Sequence, residues 1–516
     1  MAHSQKSERS PQVVSIAWLC VLLYGATFVI LMLAGRLGVP SVFLNLGLVT
    51  MFAATMIVVA WAARTMTGPR FYYGDYQLAS SATGFGGGTD VVGGALLLTF
   101  ASAAGGDKLV LGPAIMIGLV LCGVLFASQM RRSGVATAAG YLGWRYQQSA
   151  VGTVAVLIST IILALILLAE FEVARLALAA LGRADAGAMT WIVLVLAAIP
   201  PLLGGWLSIA VTNLVLSLWI TLSLLLPTLL LGLVPGLMGS DAAQLVSGSD
   251  IPNLAALPPP AISREGIVAT GSTLVVIACG IAAFPHTLAR LSLVRRPSSA
   301  IEHMGWSALF AFIALAGIGF TLALILPDSS ASLSQTLRGQ PALHMLPYAA
   351  LALAAVNGMS VTLFALSAAI ARGVQRARAF DPNERTMFGS RLIVALVCLV
   401  LGWFAAEISL PVATLLIWAI CLSAGCLFVP VFAAVWMAKI PGTATLLSML
   451  AGLGVLAEVA RRQLETGFDN AMAPIPATLM AMGAAAFVIA AGRIWWHFRM
   501  RGTEDHMLKM LRGASA

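Results

Sequence analysis

Fourteen runs of about twenty apolar residues each fill most of this 516-residue chain, and any fold it adopts must first accommodate them. An α-helix rises about 1.5 Å per residue, so roughly 20 apolar residues cross a hydrocarbon core about 30 Å thick. The runs lie at 14–35, 44–64, 79–104, 109–130, 150–182, 188–204, 207–236, 266–288, 304–326, 344–371, 391–406, 410–437, 442–460 and 474–498. Charged residues make up only 9% of the chain, against roughly 25% in soluble domains. A surface so poor in charge cannot face water, so the sequence predicts an all-α polytopic membrane protein. Several runs exceed 25 residues, which predicts tilt, kinks or extensions beyond the bilayer. At Gly204–Trp206 two runs meet with almost no loop.

The formal charge of +9 does not mark a nucleic-acid binder, because the basic residues sit in short loops where they orient membrane helices. With the N-terminus in the cytoplasm, 21 of the 29 Lys and Arg residues fall on that side, seven fall opposite, and Arg175 lies within a span. Both ends are then cytoplasmic, which requires an even number of spans. The first run exceeds the usual 7–15 residue core of a signal peptide and lacks a convincing cleavage site, so it reads as a retained helix. The one sizeable loop, 237–265, predicts either an ordered outer cap or a loose connection. The tail from Arg499 to Ala516 predicts a short amphipathic helix on anionic lipid. The six cysteines, Cys20, Cys122, Cys279, Cys398, Cys421 and Cys426, all lie in apolar runs without a CxxC pair, against a disulfide framework or zinc site.

Function shows where a span carries what lipid disfavours. In the third run, Gly84-Phe85-Gly86-Gly87-Gly88-Thr89-Asp90-Val91-Val92-Gly93-Gly94 holds six glycines in eleven residues, and each costs a helix about 1 kcal/mol relative to Ala. Asp90 lies roughly 16 Å along this run, near the bilayer midplane. Unwound backbone at that depth suits a cavity or ion site; close helix packing through small residues also explains the glycines, but not the aspartate. In the tenth run, Asn357, Ser360 and Ser367 share one helical face. Such a stripe supplies oxygen ligands to a hard cation, or simply hydrogen bonds to backbone and neighbours. In the fifth run, Glu172 and Arg175 are i,i+3 neighbours able to pair. Glu170 beside them falls in the outer third, as does Arg175, which a structural pair or a substrate carboxylate would employ.

These features occur in an order that resembles the sodium:solute symporter family, and most closely its acetate and monocarboxylate permeases. Tyr72-Tyr73-Gly74 leads to Gly84-Phe85 and then the glycine-rich run. Further on, Gly280-Ile281-Ala282-Ala283-Phe284-Pro285-His286-Thr287-Leu288-Ala289-Arg290, followed by Val294-Arg295, is similar to the branch's G-x-x-x-L-P-H-x-L-x-R and V-R motif. Gly204-Gly205 and Gly358-Met359-Ser360 are similar too, so the likeness spans roughly residues 70–440. It implies ten core helices in two inverted five-helix repeats, with the first and sixth core helices broken. Two peripheral helices (1–70) would precede a core at 71–437, and two more with a cytoplasmic tail (438–516) would follow. The resemblance also implies a sodium site from the Val92 and Ala95 carbonyls and the Ser360 hydroxyl, to which Asp90 adds a charge. This chain has Gly94 where the branch carries an aspartate, and Ala354-Ala355 where other members carry serines. The coupling ion therefore stays open between Na+ and H+.

The resulting expectation is a cation-coupled symporter of a bacterial inner membrane carrying a small organic solute, with acetate or another monocarboxylate the leading candidate. Gly88, Thr89, Gly93, Gly94, Asn357, Thr362, Glu170 and Arg175 would line the substrate pathway. Pro285, His286 and Arg290, placed at the cytoplasmic end of the eighth run, would shape an inner gate. No cofactor and no nucleic-acid partner is expected, only solute, coupling ion and lipid. A transporter-like solute sensor, or a symporter of an amino acid or sugar, is the alternative. An enzyme is disfavoured, since no nucleophile–base pairing is visible among Asp90, Glu170, Glu172 and His286.

Overall fold

A computed structural model describes residues 10–74, 79–103, 105–135, 137–182, 186–233, 264–294, 296–325, 341–373, 384–404, 410–468 and 470–513. Every regular element among them is helical. The loop expected at 237–265 lies outside the described residues except for its last two, which open the helix Arg264–Ala282. Twelve helices are long and apolar enough to cross a membrane, thirteen if the bent pair Ser80–Val91 and Gly94–Ser102 is one span.

The sequence predicts fourteen; counting the bent pair as one span gives thirteen, and the remaining difference arises at Gly205. The helix Ala186–Leu233 has 48 residues, a length of about 72 Å, more than twice the hydrocarbon core. Gly205 interrupts it with φ 55 and ψ −136, a conformation that only glycine adopts without strain. Its two arms correspond to the runs 188–204 and 207–236. A Cβ at this position would sit 2.5 Å from the Phe71 carbonyl oxygen and 2.9 Å from the Phe364 ring. Phe71, Tyr72, Trp206 and Phe364 pack edge to face around the turn. The Tyr72 hydroxyl reaches the Thr386 carbonyl at 2.8 Å and Ser390 Oγ at 2.7 Å, tying this corner to the helix Glu384–Phe404.

Burial is graded from the centre outward. Every residue from 349 to 369 of the span Met345–Ala371 is buried, packed along Ser149–Gly182 and against Ala186–Leu233. In Trp18–Arg36, Glu384–Phe404 and the last two spans only about a third or less of the apolar stretch is buried. Their outward residues include Trp18, Leu22, Trp403 and Phe487, which suits contact with lipid tails.

Two π-helical segments, Cys122–Ala127 and Ser423–Phe428, interrupt otherwise α-helical spans and meet through Phe126 and Phe428. The last helix runs unbroken from Pro474 to Gly513. The expected tail is thus an extension of the final span and not a separate element.

Gly205→Ala would force a Cβ into both the strained backbone and the Phe71–Phe364 contact. We expect a loss of about 2–4 kcal/mol from strain and overpacking together, measured as a lower Tm of the detergent-solubilised protein.

Candidate functional site

Two helix breaks lie side by side at the centre of the bundle. The first separates Ser80–Val91 from Gly94–Ser102, which meet at a 57° bend. Val92 leaves the helix at ψ 64 and Gly93 is extended, at ψ −179. The second separates Arg264–Ala282 from Pro285–Arg290. Its cause is Pro285, which lacks an N–H and whose ring would clash with the carbonyl four residues before it. Phe284 accordingly adopts φ −55 and ψ 126, and the chain re-enters a helix with Pro285 in its first turn. The Ser423 hydroxyl, from a π-helical segment, donates to the Gly280 carbonyl at 2.7 Å just before this break. The breaks are joined directly: His286 Nε2 lies 3.0 Å from the Asp90 carbonyl oxygen. A carbonyl can only accept, so Nε2 carries a proton and donates it.

The sequence places Pro285 and His286 at the cytoplasmic end of the eighth run. The structure places them within it, since the candidate span continues to Leu293. A proline ends a helix, but it need not end a membrane crossing.

The half-helix Ser80–Val91 is built on steric absence. A Cβ on Gly84 would collide with the His303 carbonyl oxygen, and one on Gly86 would come 2.9 Å from the Leu214 amide. On Gly87 it would sit 2.7 Å from Arg290 Nε, and on Gly88 it would sit 2.6 Å from the Phe310 ring. Close packing therefore accounts for these four glycines. It seats the half-helix against Ala186–Leu233, Pro285–Arg290 and Pro297–Ile325.

Asp90 sits in the same crowded face, and its carboxylate is not free. Arg290 forms a buried ion pair with it and Asn213 Nδ2 donates to its other oxygen. The Arg290 guanidinium also donates to the Thr83 carbonyl at 3.0 Å, and His303 Nδ1 lies 3.1 Å from Thr83 Oγ1. Ser307 Oγ donates to the Gly84 carbonyl at 2.8 Å. Asn213, Thr83 and His303 are contributors that the sequence reading passed over. Asn213, a lone amide within the apolar run 207–236, is the one that composition could have flagged.

A second carboxylate serves the other half-helix. Glu170, from the helix Ser149–Gly182, accepts a 3.1 Å hydrogen bond from the Ala95 amide and lies against Gly93 and Gly358. The sequence grouped Glu170 with Glu172 and Arg175, but residues two apart on a helix face different ways. Glu172 and Arg175 pair with each other through contacts of 2.7–3.1 Å, while Glu170 turns inward to the break.

The remaining sequence candidates are dispersed. Ser360 Oγ lies 2.8 Å from the Ala197 carbonyl and 3.0 Å from that of Val356, both distinct from the first break. Thr362 donates to Gly358 and Ser367 to Phe364, within their own helix. Asn357 reaches the half-helix Ser80–Val91, donating to Thr89 Oγ1 at 2.6 Å. Ala95 lies in the first turn of its half-helix, where carbonyls point to the amide four residues on. Among the described residues, the hydrogen bonds of Ser360 go to Ala197 and Val356, while those of Asp90 go to Arg290, Asn213 and His286. Buried polar atoms without a hydrogen-bond partner on the neighbouring helices include Asn213 Oδ1, Thr287 Oγ1, His286 Nδ1 and Asn357 Oδ1.

No family model matches the chain, and no curated protein matches it in sequence. Among solved structures it is similar to a Na+-coupled sialic acid symporter captured substrate-bound and outward-open, at TM-score 0.61 and 14% identity. That match covers 87% of this chain and 96% of the symporter. A manganese transporter of Eremococcus coleocola matches over the same shares at TM-score 0.38 and 13% identity. The first likeness shows a shared architecture; the second adds nothing to it.

Breaking a buried pair by removing one partner is costlier than removing both. Arg290→Met should lose about 3–5 kcal/mol, while Asp90→Asn with Arg290→Met should recover much of that loss. Thermal or chemical unfolding of the single and double variants measures the coupling.

Proposed function

We propose that the chain is a secondary active transporter that moves a small organic solute by cation-coupled symport. Adjacent helix breaks carrying two buried carboxylates are the observation that carries this reading. Irregular backbone of this kind is tolerated within a membrane where it is enclosed by protein or lines a cavity, and discontinuous helices build solute and ion sites in transporters. The architecture shared with a Na+-coupled symporter supports it. The loop arginines support cytoplasmic termini in a bacterial inner membrane.

In this reading the Asp90–Arg290 pair is a latch. It joins Ser80–Val91 to Pro285–Arg290, the half-helices on the cytoplasmic side of the two breaks. Opening that side requires the two to move as one body or the pair to part. His286, bonded to the Asp90 carbonyl, holds the breaks in register and acts with Pro285 and Arg290 on the gate. The coupling cation, Na+ or H+, is taken up at the first break, where Val92 leaves the helix. Ser360, whose hydroxyl donates to the Ala197 carbonyl, keeps its oxygen lone pairs for the cation, and Asp90 contributes only when Arg290 withdraws. Gly88, Thr89, Gly93, Gly94, Asn357 and Thr362 line the pathway beside it. Arg175, engaged by Glu172, flanks it on the outer side.

Purified protein alone in proteoliposomes tests the reading. Counterflow of labelled monocarboxylates, amino acids, sugars or amines should appear for one class. Accumulation should collapse when Na+ is replaced by K+, or on adding a protonophore if H+ couples. Absence of exchange for every class would sink the transporter reading and favour a solute sensor.

Two variants refine it. Ser360→Ala is expected to raise the cation concentration for half-maximal uptake several-fold, with solute affinity at saturating cation unchanged. His286→Ala is expected to slow turnover more than it weakens solute binding, so a large loss of equilibrium binding in a folded variant would move His286 into the solute pocket.

A further inference from the structure

The half-helix Gly94–Ser102 presents its N-terminal amides to the first break, and such an end attracts negative charge. In discontinuous transporter helices this end faces an anionic group of the solute. Here it is already taken. Glu170 accepts at 3.1 Å from the amide of Ala95, the second residue of that half-helix. Glu170 is 3% exposed, and none of the ion pairs among the described residues includes it.

The surroundings are shaped around that carboxylate. A Cβ on Gly93 would overlap Glu170 Oε1, and one on Gly358 would lie 2.8 Å from its carboxyl carbon. Two separate segments, the break and the helix Pro341–Gly373, thus leave out side chains at the place where the carboxylate lies. An unpartnered acceptor lies on the helix facing the break. Asn357, beside Gly358, spends its amide nitrogen on Thr89 and leaves Oδ1 without a partner at 0% exposure. The C-terminal end of Ser80–Val91 turns its partial negative charge to the same break.

We propose that Glu170 fills from within the chain the position that a solute carboxylate would otherwise take. The break then receives a positively charged group, the ammonium of an organic amine, and excludes small carboxylates. The solute class rests on the transporter reading; the occupation of that helix end by Glu170 does not. The inference runs against a monocarboxylate as solute.

The first arm is equilibrium binding to the purified full-length chain, with formate and acetate as probes and Tm as readout. Wild type should show no saturable shift. Glu170→Gly, which empties the position and keeps the amides, should gain a saturable rise of a few degrees with formate. Glu170→Gln, whose amide still fills the space, should not. If Glu170→Gly does not fold, Glu170→Ala takes its place. A saturable shift of wild type with either carboxylate would overturn the proposal, as would a folded Glu170→Gly indifferent to formate.

The second arm is counterflow in wild type. Labelled ethanolamine or a comparable small amine should exchange, whereas acetate and lactate should not. Exchange of carboxylates with Glu170 in place would overturn the solute class. If nothing exchanges while the formate result holds, the transporter reading falls and the internal anion stands.

Discussion

A backbone amide or carbonyl cut loose from its helix inside a membrane has no water to turn to, and each such group left unmatched costs several kcal/mol. This chain cuts two helices at adjacent points, and much of its interior exists to answer the groups that result. Glu170 answers the Ala95 amide at the opening of Gly94–Ser102. His286 answers the Asp90 carbonyl, near the end of Ser80–Val91. Ser423 answers the Gly280 carbonyl ahead of the second cut. Each answer comes from a different helix, so the breaks organise the bundle around them.

The same logic explains the pairing of opposite charges at the heart of the molecule. A lone aspartate or arginine at this burial would be untenable, but together, with Asn213 and the Thr83 carbonyl, their hydrogen-bonding capacity is largely met. The pair needs close approach, and glycines provide it. Gly87 lets the guanidinium lie against the helix backbone, while Gly86 brings the helix of Asn213 near enough to reach Asp90. Geometry and electrostatics are therefore one design here: bulk removed at Gly86 and Gly87 is what allows charge to be placed at Asp90.

The membrane class, the positions of the spans and the broken third run were legible because apolar length and glycine content are local properties. The near-absence of loop at Gly204–Trp206 likewise pointed to the turn later found at Gly205. Partnership was not legible. Asp90 and Arg290 are separated by 200 residues, and nothing local reveals that one neutralises the other. Glu170 and Glu172 look equivalent in the chain, yet the helical repeat sends one to a half-helix and the other to Arg175. The hydroxyl stripe of the tenth run was visible, but whether a hydroxyl serves an ion or its own backbone is a matter of rotamer and neighbour. For Thr362 and Ser367 the backbone won.

The final helix has a mechanical consequence of its own. Its apolar span, Pro474–Phe498, has 25 residues, and the same helix continues to Gly513 without a break. The extension adds about 22 Å of rod beyond the span, so the tail has a direction as well as a length. A rod of about 60 Å that leans by about 10° carries its tip about 10 Å sideways. Small changes in the inclination of the last span are thereby converted into displacements as wide as a helix at the far end of the chain.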